Sequence, residues 1–302
     1  MSKSTSLPQK PRKGVILAGG SGSRLYPATV ALNKHLLPVY DKPMIYYALT
    51  TLMLAGLSDI IVVSSPSALP QIRNLLGEGT QWGIHLSYAS QPAPSGIADG
   101  VLAAADQLAA HPFALILGDN IFYQTGLPTH LRRVAAQERG ATIFAYPVSQ
   151  PHRYGIVELN RDGKPISLEE KPEQPKSNLA VTGLYFYDER AVEFASKLRP
   201  SARGELEITD LNQAYLEIGE LTVQQIGRGS AWLDGGTTED LYEASQFVRV
   251  LEERTGLKIA CPEEVALRMG FITRSQFTGL VHALKPCKYR SYLETIIDAS
   301  AD

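Results

Sequence analysis

The 302 residues are 44% hydrophobic and 20% charged, the usage of an ordinary globular protein, which sets aside disordered and low-complexity classes. Lysine plus arginine number 29 and aspartate plus glutamate 31, and a net charge of −2 argues against a dedicated nucleic-acid binder, which would show a basic excess. Two cysteines, Cys261 and Cys287, cannot build a disulfide framework in a chain this long, so a reducing compartment is expected. The amino terminus is polar, without the apolar stretch of a secretory signal, and no apolar run approaches the roughly 18 residues that span a bilayer. The expectation is a soluble, cytoplasmic protein that does not engage membranes, with residues 1–12 as a loose tail.

In chain order, KGVIL over 13–17 reads as a buried strand running into a glycine-rich turn. A helix is expected over 44–55, a β-branched strand over 59–63, a helix over 69–76, a strand over 84–88 and a helix over 97–109. FALIL over 113–117 is another buried strand, ending at Gly118-Asp119-Asn120. A helix over 127–138 leads to a strand over 142–148. This alternation predicts an α/β fold with a mostly parallel sheet and helices on both faces. From about residue 150, short strands at 156–159, 166–170 and 181–187 read as a β-rich insertion covering one end of the sheet. Helices are expected over 188–198 and 210–218, and the last sixty or so residues look entirely helical.

Several segments can carry chemistry. In Ala18-Gly19-Gly20-Ser21-Gly22-Ser23-Arg24 the glycines let backbone N–H groups approach an anion, and Arg24 adds a planar cation suited to phosphate. A tight connection would use glycine equally well. The dinucleotide fingerprint fails because Leu25 stands where its third glycine belongs, and the P-loop fails because the Gly163-Lys164 pair runs into Pro165. Asp119, directly after a buried strand, is placed to hold Mg²⁺ or simply to cap a turn with Asn120. Asp234, in Trp232-Leu233-Asp234-Gly235-Gly236, is either a second metal ligand or a strand-end turn. The charged stretch Glu169-Glu170-Lys171 and the loop around Arg203 have solvated-surface readings too. No CxxC or HExxH occurs, which removes structural zinc.

Together, GVILAGGSGSRLYP, LLPVYDKPMIYY, LGDNIFY, YGIVE, LEEKP, AVTGLYFYD, PSARGELEITDLN and GRGSAWLDGGT, in this order and spacing, resemble the sugar-nucleotide pyrophosphorylases, and among them the glucose-1-phosphate thymidylyltransferase group. The resemblance implies a Rossmann-like, three-layer α/β nucleotidyltransferase fold with a β-rich sugar-binding insertion and C-terminal helices. The implied organisation is a core over 13–240 containing a sugar-binding subdomain at about 120–235, then a helical assembly region over 241–302. The implied substrates are dTTP and a hexose 1-phosphate, with Mg²⁺ as cofactor. A homotetramer and an allosteric site for a dTDP-sugar are implied as well.

The resemblance also implies residue roles. Leu17, Gly19, Gly20, Gly22, Ser23 and Arg24 belong to the triphosphate-binding signature, with Lys34 and His35 in the next segment. Gln91 and Gly96 match positions that read the pyrimidine. Tyr154, Gly155, Glu170, Lys171, Val181, Arg203 and Trp232 match the sugar-phosphate pocket, and Asp119 and Asp234 match the Mg²⁺ carboxylates. Arg24, Lys34, Lys171 and Asp119 are the expected catalytic set. The implied chemistry is in-line attack of the sugar phosphate on the α-phosphorus of dTTP, which needs no dedicated base because a phosphate monoester is already ionised near neutral pH. Charge neutralisation and alignment are then the work.

The chain departs from the family pattern at five positions near this site. His35 stands for a glutamine, Ser95 for an aspartate, Asp99 for a glutamine, Gly100 for an alanine and Gly235 for a threonine. These leave two alternatives open: a relative with shifted nucleotide (UTP or CTP) or phosphorylated-acceptor specificity, or a catalytically silent sugar-nucleotide-binding regulator.

Overall fold

The apolar run KGVIL folds as the central strand β1 (Lys13–Leu17), with Val15 and Ile16 wholly buried. The computed structural model describes residues 11–20 and 22–299. After β1 come 3-10 turns at Ser23–Leu25 and Lys34–Leu36 and a small hairpin, β2 (Pro38–Val39) and β3 (Lys42–Pro43). Helices and strands then alternate: α1 (Ile45–Leu54), β4 (Asp59–Ser64), α2 (Leu69–Leu76), β5 (His85–Ser90), α3 (Ile97–Ala103), α4 (Ala105–Leu108), β6 (Phe113–Leu117), β7 (Asn120–Tyr123), α5 (Leu127–Ala135) and β8 (Ala141–Pro147). A strand-rich stretch follows, with β9 (Gly155–Leu159), β10 (Pro165–Glu170), β11 (Leu179–Tyr187), α6 (Ala191–Ser196), α7 (Ile208–Glu217), β12 (Leu221–Gln225) and β13 (Ala231–Asp234). The remainder is helical: α8 (Thr238–Thr255), α9 (Pro262–Arg268), α10 (Arg274–Ala283) and α11 (Lys288–Asp298).

β1 lies between β4 and β6, parallel to both, and β5 continues the parallel set beyond β4. Four carboxyl ends therefore open along one edge, where an open α/β sheet binds ligands. β11 joins β6 antiparallel, and β8, β9, β10 and β12 extend the sheet from there. The expected β-rich insertion is thus continuous with the main sheet, because nine-residue β11 is long enough to pair with β6, β8 and β9. Against β8, β11 shifts register between Val181 and Tyr185, a bulge that re-aims its backbone beside the site.

Two apolar layers cover the sheet. Side chains of α1, α2 and α5 pack on one face together with those of α9 to α11, and those of α3, α4, α6 and α7 on the other. The C-terminal helices share the first layer, and their buried acids are paired. Trp82 Nε1 donates to Glu263 at 3.3 Å, and the Tyr292 hydroxyl donates to Glu264 at 2.5 Å. A boundary at residue 240 falls inside α8. The helix expected over 97–109 is two, α3 and α4, meeting at Ala104, whose N–H bonds to Val101, three residues back. Of the expected loose tail, residues 1–10 lie outside the described residues, as does Ser21. Arg12 is anchored, donating to the carbonyls of Ala135, Phe113, Tyr187 and Gln137 at 2.6 to 3.0 Å. Among the described residues, no helix is long and apolar enough to cross a membrane.

Candidate active site

Asp119 follows the carboxyl end of β6, one residue before β7. β13 pairs antiparallel with β7 and sets Asp234 opposite Asn120, while the Gly235 N–H donates to the Asp119 carbonyl at 2.9 Å. The two carboxylates thus leave neighbouring strands side by side. Asn120, only 2% exposed, ties them together. Its Nδ2 donates to Asp119 Oδ1 at 3.0 Å, and its Oδ1 accepts from Trp232 Nε1 at 2.6 Å and from the Gly183 N–H at 3.0 Å. Gly183 sits in the β11 bulge. A Cβ there would fall 2.5 Å from Asn120 Oδ1 and 2.7 Å from Leu117 Cγ, so the close approach requires glycine.

The two acids differ electrostatically. Burial alone would raise the Asp119 carboxyl, but the Lys34 ammonium paired with it overrides this and holds it well below the usual carboxylate range. Asp234 is pushed up to about 6 by burial and by the neighbouring carboxylates of Asp240 and Asp119. Asp240 is placed there by the start of α8, where Thr237 caps the helix by accepting from the Asp240 N–H at 3.1 Å. The Tyr154 phenol is raised to about 12 by its own burial and by Asp234. Among the described residues, no group of three or more His, Cys, Asp or Glu forms a metal cage. Two hard carboxylates that repel one another fit a magnesium-like ion, which completes its shell with waters and substrate phosphates.

The Lys34–Asp119 pair stands between two cavities, Lys34 lining the first and Asp119 the second. The first, about 380 Å³, is walled by Gly19, Gly20, Asn33, Lys34, Gln91 and Pro92 at the ends of β1 and β5. The second, about 260 Å³, brings together Arg24, Asp119, Asp234 and every residue expected in the sugar-phosphate pocket: Tyr154, Gly155, Glu170, Lys171, Val181, Arg203 and Trp232. Its floor is tightly bonded. Thr209 Oγ1 donates to Glu170 Oε2 at 2.6 Å. Arg203 forks onto both oxygens of Glu207 at 2.8 Å and reaches Glu170 at 3.2 Å. Trp232 and Tyr154 meet edge to face at 5.2 Å.

The other expected residues line neither cavity. His35, expected to contact nucleotide, is 1% exposed, and its Nδ1 bonds to Asn33 Oδ1 at 2.7 Å. Burial and the adjacent Lys34 charge push it down to about 3, so it is a neutral packing group that holds Asn33. Leu17 is core, 8% exposed, and its Cδ2 lies 2.8 Å from where a Cβ on Gly100 would be. Gly22 and Ser23 start the 3-10 turn that carries Arg24. Gly96 approaches the Leu206 backbone too closely for any side chain, and its carbonyl accepts from Gln91. Gly235 makes room for the buried Met44, whose Cε would lie 2.5 Å from an added Cβ.

A family model described as "Nucleotidyl transferase" matches residues 13–250. The chain belongs to this family. Among relatives of this nucleotidyl transferase, a glucose-1-phosphate thymidylyltransferase of Xanthomonas campestris pv. campestris is 51% identical over 290 residues, covering 96% of this chain and 98% of the relative. One from Neisseria meningitidis is 52% identical, covering 93% and 98%. A Bacillus anthracis chain crystallised with sucrose superposes with a TM-score of 0.73 at 39% identity, covering 79% of this chain and 95% of that one. A UDP-glucose pyrophosphorylase complexed with UDP-glucose gives 0.68 at 25% identity, covering 80% and 100%.

Sequence reading missed several members of this nucleotidyl transferase site. Asn120 reads as a turn partner of Asp119, although its place at the start of an apolar NIFY strand signals burial. Thr209 and Glu207 lie inside the PSARGELEITDLN stretch, which does not single them out. Asp240 is signalled only by the N-cap pattern at Thr237.

Proposed function

We infer that this nucleotidyl transferase joins dTTP and glucose 1-phosphate, giving dTDP-glucose and pyrophosphate. The observation that supports it best is the pair of cavities bridged by the Lys34–Asp119 pair, one glycine-walled and one lined by the residues expected to take the sugar phosphate. Relatives of that name at 51–52% identity support the same substrates.

In this reading the triphosphate lies along the Gly19–Gly20 turn, with Arg24 and Lys34 offsetting its charge. The sugar phosphate enters the second cavity beside Lys171, whose chain is fixed by its N–H bond to the Tyr154 carbonyl at 3.1 Å. Arg203, one of the residues expected in this pocket, pairs with Glu207 and Glu170. Its role here is to hold Glu170, which accepts hydroxyls of the sugar. Trp232 and Tyr154 offer an aromatic wall to the sugar face. Asp119 and Asp234 would hold Mg²⁺, which supplies charge neutralisation at phosphate oxygens when bound. The sugar phosphate is already ionised, so this chain's residues bind, align and neutralise rather than remove a proton.

A silent sensor would keep the cavities and shed the cations, whereas Arg24, Lys34 and Lys171 are all retained. A cytoplasmic setting fits two cysteines without a disulfide. The homotetramer and the allosteric dTDP-sugar rest on the family resemblance. Pyrophosphate release across four nucleotides and several sugar phosphates tests the assignment.

A further inference from the structure

Gln91 is 8% exposed at the end of β5, and its amide faces the first cavity. Both of its protons are committed. Nε2 donates to the Gly96 carbonyl at 3.0 Å and to Asp99 Oδ2 at 2.8 Å. Each of these partners only accepts, so the amide orientation is chemically fixed. The group left for a ligand is Oε1, which lies over the glycine turn, 3.2 Å from where a Cβ on Gly19 would be. Asp99 sits in the first turn of α3, and its carboxylate makes this a charge-assisted bond. A glutamine at this position would present both donor and acceptor and impose no such orientation.

We propose that Asp99 is a specificity-determining positioning residue: it holds the Gln91 amide with only its carbonyl oxygen toward the base, so the cavity takes a pyrimidine bearing an N3–H and rejects cytosine. Thymine and uracil carry that proton between two carbonyls. Cytosine offers a lone pair at N3, which would face the Gln91 oxygen unbonded. A site built around one hydrogen bond discriminates strongly against the analogue that cannot make it. With Asp99 removed, one bond instead of two opposes rotation of the amide, and its N–H becomes available to cytosine. The inference rests on the nucleotide occupying the first cavity, as proposed above.

The test compares dTTP with dCTP for the wild type, Asp99→Ala and Asp99→Asn. Asp99 is part-exposed near a helix start, and melting curves check that each variant folds. Asp99→Ala is expected to narrow the dTTP:dCTP ratio of kcat/KM by about tenfold, through KM, with kcat for dTTP within about twofold. Asp99→Asn offers a donor as well as an acceptor and is expected to give a ratio between those of the wild type and Asp99→Ala. Calorimetric binding of dTDP and dCDP reads the same preference without turnover. An unchanged ratio in folded Asp99→Ala, by kinetics and calorimetry alike, overturns the inference while leaving the proposed reaction intact. A wild type that binds the diphosphates selectively but turns over no triphosphate overturns the reaction and leaves the inference standing.

Discussion

The Trp232 indole donates to Asn120 Oδ1 at 2.6 Å, and through that bond the strand ending in Asp234 is locked to the strand that follows Asp119. The spacing of the two carboxylates therefore depends on a neutral side chain that touches no phosphate. Trp232→Phe keeps an aromatic wall but removes the donor, leaving Asn120 Oδ1 with the Gly183 N–H alone. The expected cost is about 1–2 kcal/mol in denaturant unfolding, with kcat falling about tenfold as the acids lose their mutual alignment. Unchanged kcat in a variant destabilised by that amount would separate Trp232 from the alignment of the acids.

Gly183→Ala probes the same link from the other side. The added methyl meets Asn120 Oδ1 and Leu117, neither of which can retreat far in the packed bulge. Overpacking of this kind costs about 1–3 kcal/mol. Thermal melting should show that loss, and kcat should fall with it because Asn120 is pushed off Asp119.

Asp119→Asn and Asp234→Asn should each lower turnover by about 10²–10³-fold, the scale of losing one preorganised electrostatic group. Their folded states should respond differently. Asp119→Asn leaves the Lys34 ammonium without its partner and should melt lower. Asp234→Asn removes a buried carboxylate that Asp240 and Asp119 repel, and should melt no lower than the wild type at pH 8. Full activity in either variant would remove the proposed metal ligand.

His35 gives the stability a pH signature. Its folded pKa, about 3, lies below the ordinary histidine value of 6.5, so the unfolded chain binds the extra proton first. Its stabilising contribution is fully present above pH 6.5 and is lost as pH falls toward 3. By pH 5 the loss is about 2 kcal/mol. His35→Gln, which does not titrate, should show a flatter melting temperature between pH 7 and pH 5, measured against the wild type in the same buffers. Parallel curves would contradict the buried neutral imidazole.

Much of the fold is legible wherever burial is continuous. β1, β6 and α2 fall over the predicted 13–17, 113–117 and 69–76. β7 and β12 do not stand out as strands in the sequence, and β13 shows only as a strand end before Asp234. β7 follows Asp119 so closely that it passes for a turn, β12 is half polar, and β13 is four residues long. The cavity-lining residues share short motifs, and the cavities do draw them together. What escapes a linear reading is the supporting layer. Asn120 and Thr209 act through partners 39 to 112 residues away, which no local pattern names, and Glu207 acts through Arg203. His35 shows the reverse, since a polar residue beside Lys34 looks like a ligand contact until its burial is known.

The most direct test of the proposed reaction is pyrophosphate release by purified protein supplied with dTTP, glucose 1-phosphate and Mg²⁺. The predicted result is one pyrophosphate per dTDP-glucose formed, dependent on both substrates and abolished by chelation. Absence of product with every nucleotide and sugar-phosphate pair tried would contradict it.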